Sequence, residues 1–177
     1  MKDFQDLFRK FSSLKVGVIG DVRLDTYMWG EVDRVSPEAP VPIVSLKNKD
    51  HRIGGAGNVA LNIQSLGAKA FVLSVMGDDD DAEKLSSLFT SQNINCGYCI
   101  RSKERITTNK TRVISRNQQM MRLDAEITND LCKEDEKKLI ELFEQFVEKE
   151  KPDVVILEDY NKGVLTEATI KIVISIC

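Results

Sequence analysis

Three short apolar runs, separated by segments with helical periodicity, constrain the fold of this chain more than any other feature. The runs are residues 15–20, 70–76 and 154–157, and the helical segments include residues 58–66, 79–91 and 133–150. Short runs that are apolar throughout are typical of strands buried on both faces, and strands joined by helices form crossover units. The sequence therefore predicts an α/β fold with a mainly parallel sheet flanked by helices.

Composition excludes several classes of protein. The 177 residues carry 25 Lys and Arg against 28 Asp and Glu, a formal net charge of −3, which disfavours a DNA-coating protein. No apolar stretch approaches the ~18 residues of a membrane span, and Asp3, Asp6 and Arg9 interrupt the start of the chain, where a signal peptide is apolar. We expect a cytoplasmic protein without a nucleic-acid or membrane partner.

The cysteines and the acidic run are not expected to hold a metal. One C-x-x-C motif joins Cys96 to Cys99, but the sequence offers neither a second such pair nor a histidine pair that would complete a zinc site. We expect reduced thiols, with a metal or redox role as the alternative. The acidic run at residues 78–81 lacks the ligand spacing of an EF-hand and is expected to complement a helix dipole.

Two segments depart from the alternation of strand and helix. Residues 25–53 contain three prolines that exclude a helix, so this segment is predicted to leave the main sheet as short edge strands. Residues 101–122 hold seven basic side chains and one acidic one, and a polar hairpin is predicted over residues 108–124. A negative ligand is expected near this hairpin. The alternatives are a solvated edge strand or a surface for RNA or an acidic protein, although the segment lacks an aromatic side chain for base stacking.

A glycine-rich turn at residues 54–57 precedes a helix that has Asn58 in its first turn. Adjacent glycines allow backbone N–H groups to approach an oxygen-rich ligand closely, although a simple tight turn is the alternative. The spacing matches neither the phosphate-binding loop G-x-x-x-x-G-K-[ST] nor the dinucleotide motif G-x-G-x-x-G. The turn alone therefore does not identify a nucleotide site.

Five motifs in a fixed order give the sequence a family resemblance. They are residues 20–25 (GDVRLD), 34–42 (RVSPEAPVP), 54–60 (GGAGNVA) with Gly67 and Gly77, 110–119 (KTRVISRNQQ) with 122–124 (RLD), and 158–163 (EDYNKG). Together they resemble the ribokinase-like (PfkB) carbohydrate kinases from residue 16 or so to residue 177. Within that family they are most similar to the kinase domain of the bifunctional D-glycero-beta-D-manno-heptose 7-phosphate kinase/heptose 1-phosphate adenylyltransferases.

The resemblance implies a ribokinase-like fold with a small β-lid, formed by excursions at residues 25–53 and 105–123. It implies transfer of the γ-phosphate of ATP, with Mg²⁺ as cofactor, to the anomeric hydroxyl of D-glycero-D-manno-heptose 7-phosphate, a step toward the ADP-heptose of lipopolysaccharide. It also implies a homodimer whose subunits meet through the β-lid. Another sugar kinase of the same fold is the alternative among enzymes. A non-catalytic module that binds a polyanion or a partner is the alternative outside them.

Candidate sugar-binding residues follow from the matched motifs. Asp25 and Asn58 are expected to bind sugar hydroxyls, because a sugar needs carboxylate and amide partners. Gly54 and Gly55 are expected to supply closely approaching backbone.

Candidate phosphate-binding residues lie in the basic hairpin and near the third strand. The phosphate of the sugar is expected to contact the cations Lys110, Arg112 and Arg122. Lys162, with Asp159 beside it, follows the third strand at a place where a cation could meet a substrate or nucleotide phosphate. A surface ion pair in a turn is the alternative for these two residues.

One family signature has no match in this sequence. The C-terminal Gly-Ala-Gly-Asp segment of the family supplies an anion hole and the general-base aspartate, whereas the similar letters at residues 55–58 end in asparagine and lie within the first signature. No catalytic residue is therefore assigned to this chain.

The end of the sequence predicts an incomplete domain. The last helix finishes on apolar residues, without the strand that should follow it in an alternating α/β protein. We expect residues 1–177 to form the N-terminal portion of a kinase domain, with the C-terminal nucleotide-binding part and the adenylyltransferase domain outside it. Such a chain is expected to have little or no activity alone. A complete but catalytically inactive protein that pairs through its lid is the alternative.

Overall fold

The computed structural model describes residues 4–177, without the side chains of residues 5 and 7. Its helices are α1 (Phe4–Phe11), α2 (Ala56–Ser65), α3 (Asp80–Ser91), α4 (Lys133–Glu150) and α5 (Glu167–Ile176). Its strands are β1 (Lys15–Gly20), β2 (Val22–Val35), β3 (Pro42–Gly55), β4 (Lys69–Gly77), β5 (Asn95–Ser102), β6 (Asn109–Ser115), β7 (Gln118–Ala125) and β8 (Val154–Glu158). Among these described helices, none combines the length and the apolar character needed to cross a membrane.

The main sheet contains four parallel strands in the order β5-β4-β1-β8. Strand β1 lies in the interior of the sheet, and its Val18 pairs with Val72 of β4 on one side and with Ile156 of β8 on the other. Strands β1 and β4 are buried along almost their whole length, as expected when helices cover both faces of a parallel sheet. The predicted α/β fold with a mainly parallel sheet flanked by helices is confirmed.

Two apolar layers hold the helices on this sheet. On one face, Leu85 and Phe89 of α3 pack with α2 against alternate residues of β1 and β4. On the other face, Phe143 and Phe146 of α4 pack with α5 against the remaining residues of the same strands. Each fully buried side chain of this size contributes about 1.5–3 kcal/mol to folding. The two layers therefore fix the sheet from which the carboxyl-terminal loops extend.

A small sheet extends from the carboxyl end of the main sheet. Its strand order is β3-β2-β6-β7. Strand β2 pairs antiparallel with β3 and parallel with β6, and β6 pairs antiparallel with β7. Since β1 ends at Gly20 and β2 begins at Val22, the small sheet leaves the main sheet within one residue of the end of β1.

A buried carboxylate connects the two sheets. Asp21, between β1 and β2, is 3% exposed. Its side chain accepts hydrogen bonds from the backbone N–H groups of Tyr160 at 2.9 Å, Lys162 at 3.1 Å and Val164 at 3.2 Å. Its own carbonyl oxygen accepts the N–H of Ala56, at the start of α2, at 2.9 Å. One residue therefore fixes both the loop after β8 and the first turn of α2.

Helix α3 anchors the start of β6. Asp79 caps the helix by accepting the N–H of Ala82 at 2.9 Å, and its second oxygen accepts the N–H of Thr107 at 2.7 Å. Asp81 accepts a hydrogen bond from Asn109, the first residue of β6, at 2.6 Å. Burial opposes the charge of Asp79, yet the hydrogen bonds from Thr107 and Ala82 lower the pKa of its carboxyl group. These contacts attach the small sheet to the helical layer.

Replacing Asp21 with alanine is expected to lower the free energy of unfolding by about 4 kcal/mol, because three backbone N–H groups lose a charged acceptor. Urea denaturation followed by circular dichroism measures the change. The matched control is Asp159→Ala, since Asp159 is exposed and accepts a hydrogen bond from Asn161 within its own turn. The control is expected to cost less than about 1 kcal/mol. Equal losses in the two variants would contradict the role given to Asp21.

Candidate functional site

One face of the small sheet carries a row of charged side chains. Residues paired in register across neighbouring strands project from the same face. In this sheet Asp25 of β2 pairs with Lys110 of β6, and Lys110 pairs with Asp124 of β7. Two residues further along, Arg112 pairs with Arg122. The alternation of the strands therefore gathers side chains from three segments of the sequence on one surface.

Asp25 lies at the centre of the first group on this face. It is 8% exposed, and its Oδ1 lies 2.8 Å from the Arg112 guanidinium. Arg23, on the same face of β2, lies 3.3 Å from the same carboxylate. Burial opposes the charge of Arg112, but the hydrogen bond to Asp25 and the Coulombic attraction of nearby anionic groups, chiefly Asp25, together outweigh it and raise the pKa of the guanidinium. Asp25 and Arg112, both predicted binding residues, are thus in direct contact.

The two glycines of the turn fit closely around the protein's own oxygen atoms. A Cβ at Gly54 would lie 2.2 Å from Oδ2 of Asp25, so only glycine leaves room for that carboxylate. Gly55 has a φ of 63°, and a Cβ there would lie 2.2 Å from the carbonyl oxygen of Asp21. Both positions therefore require glycine, one for space and the other for space and backbone conformation.

The second group on this face is a chain of ion pairs, here called the ion cluster. Its members are Arg122, Asp124, Lys110, Glu126 and Lys162. Asp124 lies 2.8 Å from Arg122 and 3.3 Å from Lys110, and Glu126 lies 2.9 Å from Lys162. The hydrogen bond from Arg122 lowers the pKa of Asp124, so this carboxyl group is ionised at neutral pH. The cluster joins the small sheet to the loop after β8.

Two predicted residues lie apart from both groups. Asn58 is exposed in the first turn of α2, and Asp159 is exposed in the loop after β8. Within residues 4–177, neither side chain has a hydrogen bond or an ion pair with another predicted site residue. Asp159 instead accepts the N–H of Asn161 at 2.6 Å. The structure thus brings together Asp25, Gly54 and Arg112 in one group, and Lys110, Arg122 and Lys162 in another, with Gly55 at the turn.

Several residues of the site were not singled out from the sequence. Glu126 lies two residues after Asp124 of the RLD motif, as Asp124 lies two residues after Arg122. This two-residue spacing of charged side chains was the signal available for Glu126. Arg105 gave no signal beyond its charge. Its guanidinium donates to the carbonyl oxygens of Ile127 at 3.1 Å and Asn129 at 2.9 Å, and also to that of Lys162. Burial lowers the pKa of Arg105.

An aromatic pair lies beside the first group. The rings of Tyr27 and Trp29 on β2 are stacked, with centroids 6.3 Å apart. The guanidinium carbons of Arg52 and Arg112 lie 4.6 Å and 5.0 Å from the centroid of Tyr27. The contact with Tyr27 therefore adds to the ion pair with Asp25 in holding Arg112 in place.

Replacing Gly54 with alanine is expected to displace the Asp25 carboxylate and to destabilise the protein by about 2 kcal/mol, the usual cost of overpacking. Gly97→Ala is the matched control, because the nearest atom to a Cβ there is the side-chain oxygen of Asn95 at 3.2 Å. Thermal unfolding measures the loss, and the chemical shifts of the Arg112 guanidinium report the displacement. An unchanged Arg112 signal in the Gly54 variant would contradict this reading of the turn.

Comparison with known sequences shows to which family the chain belongs. The pfkB family carbohydrate kinase model matches residues 15–176. The bifunctional protein HldE of Trichlorobacter lovleyi is 42% identical over 174 residues, which cover 98% of this chain and 35% of that protein. HldE of Helicobacter pylori strain HPAG1 is 44% identical over 151 residues, covering 85% of this chain and 32% of that protein. The chain thus spans about a third of the length of the curated relatives it matches.

Solved structures show the same fold. Phosphofructokinase-2 from Escherichia coli superposes with a TM-score of 0.66 at 16% identity, covering 92% of this chain and 51% of the other. A carbohydrate kinase from Agrobacterium tumefaciens gives a TM-score of 0.61 at 17% identity, covering 92% and 50%. These similarities confirm the ribokinase-like fold, and the match over residues 15–176 confirms the predicted family. The chain belongs to the pfkB family of carbohydrate kinases.

Proposed function

We propose that this chain forms the sugar-phosphate side of a kinase active site. The observation that carries the proposal is the charge balance of the small sheet and its neighbouring loop. Five cations and three carboxylates lie in contact there, an excess of two positive charges. A phosphate monoester carries a charge of about −1.5 to −2 at neutral pH, which this excess would balance.

The substrate that we propose is D-glycero-D-manno-heptose 7-phosphate, phosphorylated at its anomeric hydroxyl. Two findings support it: the sequence motifs resemble heptose 7-phosphate kinases, and the HldE proteins match almost the whole chain. In this proposal the buried Asp25 accepts hydrogen bonds from sugar hydroxyls, and Asn58 faces the sugar from the start of α2. Lys110, Arg112, Arg122 and Lys162 supply the cations for the 7-phosphate. Asp159, in the same loop as Lys162, completes the proposed set of binding residues.

The small sheet is proposed to act as a lid over the sugar. Phosphoryl transfer depends on positioning and on electrostatic stabilisation, and closure of a lid excludes water from the reacting phosphate. The lid residues Asp25 and Arg112 are already ordered by their ion pair, so part of the positioning precedes binding. The proton of the sugar hydroxyl has no acceptor assigned within this chain, and turnover by the chain alone is therefore expected to be negligible.

ATP is proposed as the phosphoryl donor, because the family consists of carbohydrate kinases. ATP would supply the transferred phosphoryl group, and the Mg²⁺ bound with it would neutralise part of the phosphate charge. Residues 4–177 contain no group of three or more His, Cys, Asp or Glu side chains that could hold a metal ion by themselves, and none of these residues is assigned to Mg²⁺.

Substitution of Asp25 tests the proposed sugar site. Asp25→Asn is expected to weaken binding of heptose 7-phosphate to this chain by about 10- to 100-fold, since charged hydrogen bonds contribute roughly 1.5–3 kcal/mol. Arg112→Ala is expected to weaken it about 10-fold, and Arg116→Ala, an exposed residue 4.0 Å from Asp33, is the control. Isothermal titration calorimetry at constant ionic strength measures all three.

The same experiment separates a sugar site from a general polyanion surface. A polyanion surface would lose affinity equally in the Arg112 and Arg116 variants, and Asp25→Asn would not weaken it. The proposed function would therefore be rejected if Asp25→Asn left the affinity unchanged and the affinity fell steeply with salt concentration.

A homodimer through the lid is proposed as the assembled form. Strand β7 is an exposed edge strand, and Met121 and Leu123 are each 54% exposed on the face opposite Arg122 and Asp124. Leu123→Lys is expected to shift the protein toward monomer in sedimentation velocity, because it places a charge in an apolar contact. Ile174→Lys, an equally charged change at an exposed position of α5, is the control. An equal distribution of species in both variants would count against a lid-to-lid contact.

A further inference from the structure

We propose that Glu126 is a positioning residue that competes with the substrate phosphate for Lys110 and Lys162. This inference rests on the proposed function, because it concerns the same cation site. The Glu126 carboxylate contacts both lysines, as the proposed phosphate would. The charge of the site is therefore partly masked by the protein itself.

The contacts of Glu126 show this bridging position. Its Oε1 lies 2.9 Å from Nζ of Lys162, and its Oε2 lies 3.7 Å from Nζ of Lys110. Lys110 belongs to β6 of the small sheet, and Lys162 belongs to the loop after β8, which Asp21 holds on the main sheet. The carboxylate thus links a cation of the lid to a cation of the core.

The two oxygens of Glu126 are not equally satisfied. Oε2 is buried and has no hydrogen-bond partner among the described residues, and its nearest cation is 3.7 Å away. A buried carboxylate oxygen without a hydrogen bond is unusual in a folded protein. The side chains of Lys110, Glu126 and Lys162 are only 15–22% exposed, so water solvates them poorly. Lys110, which also contacts Asp124 at 3.3 Å, and Lys162 thus share the Glu126 carboxylate, whose Oε2 makes no hydrogen bond to either lysine.

The backbone keeps Glu126 in this position. Arg105 donates to the carbonyl oxygens of Ile127 and Asn129, immediately after Glu126, and also to that of Lys162. The segment that carries the carboxylate and the loop that carries Lys162 are therefore joined to one guanidinium. A phosphate reaching the lysines would therefore have to share them with this carboxylate or displace it. A dianion can do this more readily than a neutral sugar or a monoanion, so Glu126 would favour phosphorylated ligands.

Removal of the Glu126 charge tests this inference. Inorganic phosphate is titrated into the 177-residue chain and its Glu126→Gln variant at constant ionic strength. Glutamine keeps the size of the side chain but removes the competing charge, so the Kd for phosphate is expected to fall about fivefold. Glu104→Gln is the matched control, an equal change of charge at an exposed residue of the connection before β6. Its Kd is expected to stay within twofold of that of the unchanged chain, since exposed surface charges are screened by salt.

A second variant keeps the test decisive if glutamine destabilises the fold. Glu126→Asp retains the charge but withdraws the carboxylate from Lys162, and it is expected to lower the Kd about twofold. A residue with a merely structural role would lower the melting temperature without tightening phosphate binding. Weaker binding in both Glu126 variants, or a Glu126→Gln Kd equal to that of Glu104→Gln, would overturn the inference. Failure of all these proteins to bind phosphate would overturn it as well.

The outcome is distinguishable from failure of the proposed function. If Glu126→Gln tightens phosphate binding but Asp25→Asn leaves heptose 7-phosphate binding unchanged, competition by Glu126 is supported and the proposed sugar site is rejected. If Asp25→Asn abolishes sugar-phosphate binding but Glu126→Gln has no effect on phosphate, the sugar site holds and the competition is rejected.

Discussion

The buried carboxylate of Asp21 is the interaction that brings the separate backbone segments of the candidate site to one edge of the sheet. It holds the loop after β8 by three backbone hydrogen bonds, and its carbonyl oxygen holds the first turn of α2. The glycine turn and the loop with Lys162 thus come to the same edge of the sheet as β2. A charged acceptor suits this place, since buried backbone donors are costly to leave unpaired and a carboxylate can accept several of them.

The charges of the small sheet are ordered before any ligand arrives. Asp25, Arg23 and Arg112 form one group of partly buried ions, and the ion cluster forms another. Exposed ion pairs contribute little to stability, but partly buried ones keep charged side chains in fixed positions. Because these side chains are already ordered, they lose less conformational entropy when a charged ligand binds.

The fold could be predicted from local sequence patterns, whereas the connections within the site could not. Apolar runs and helical spacing indicated the parallel sheet, because each pattern lies within one element. The contacts of Asp21 with Tyr160, Lys162 and Val164 join positions about 140 residues apart and leave no periodic signal. Glu126 gave only a weak signal for a similar reason: its role depends on Lys162, which lies 36 residues further along the chain in the loop after β8. Asp25 and Gly54 could be predicted as site residues only because they lie in family motifs. The steric fit between them could be found only from the coordinates.

The parallel pairing of β2 with β6 delays completion of the small sheet during synthesis of the chain. Asp25 and Arg112 are 87 residues apart, and the whole unit from α2 to β5 lies between the two strands. The β2–β3 hairpin is complete at Gly55 and β6 is complete at Ser115, so at a translation rate of roughly 5–20 residues per second the hairpin would exist for about 3–12 s before β6 is made. During this interval β2 presents a long unpaired edge of the kind that invites association with other chains. The emerging polypeptide is thus most prone to association while its middle third is being synthesised. At that stage its longest hairpin is complete, and the strand that covers the edge of β2 is still inside the ribosome.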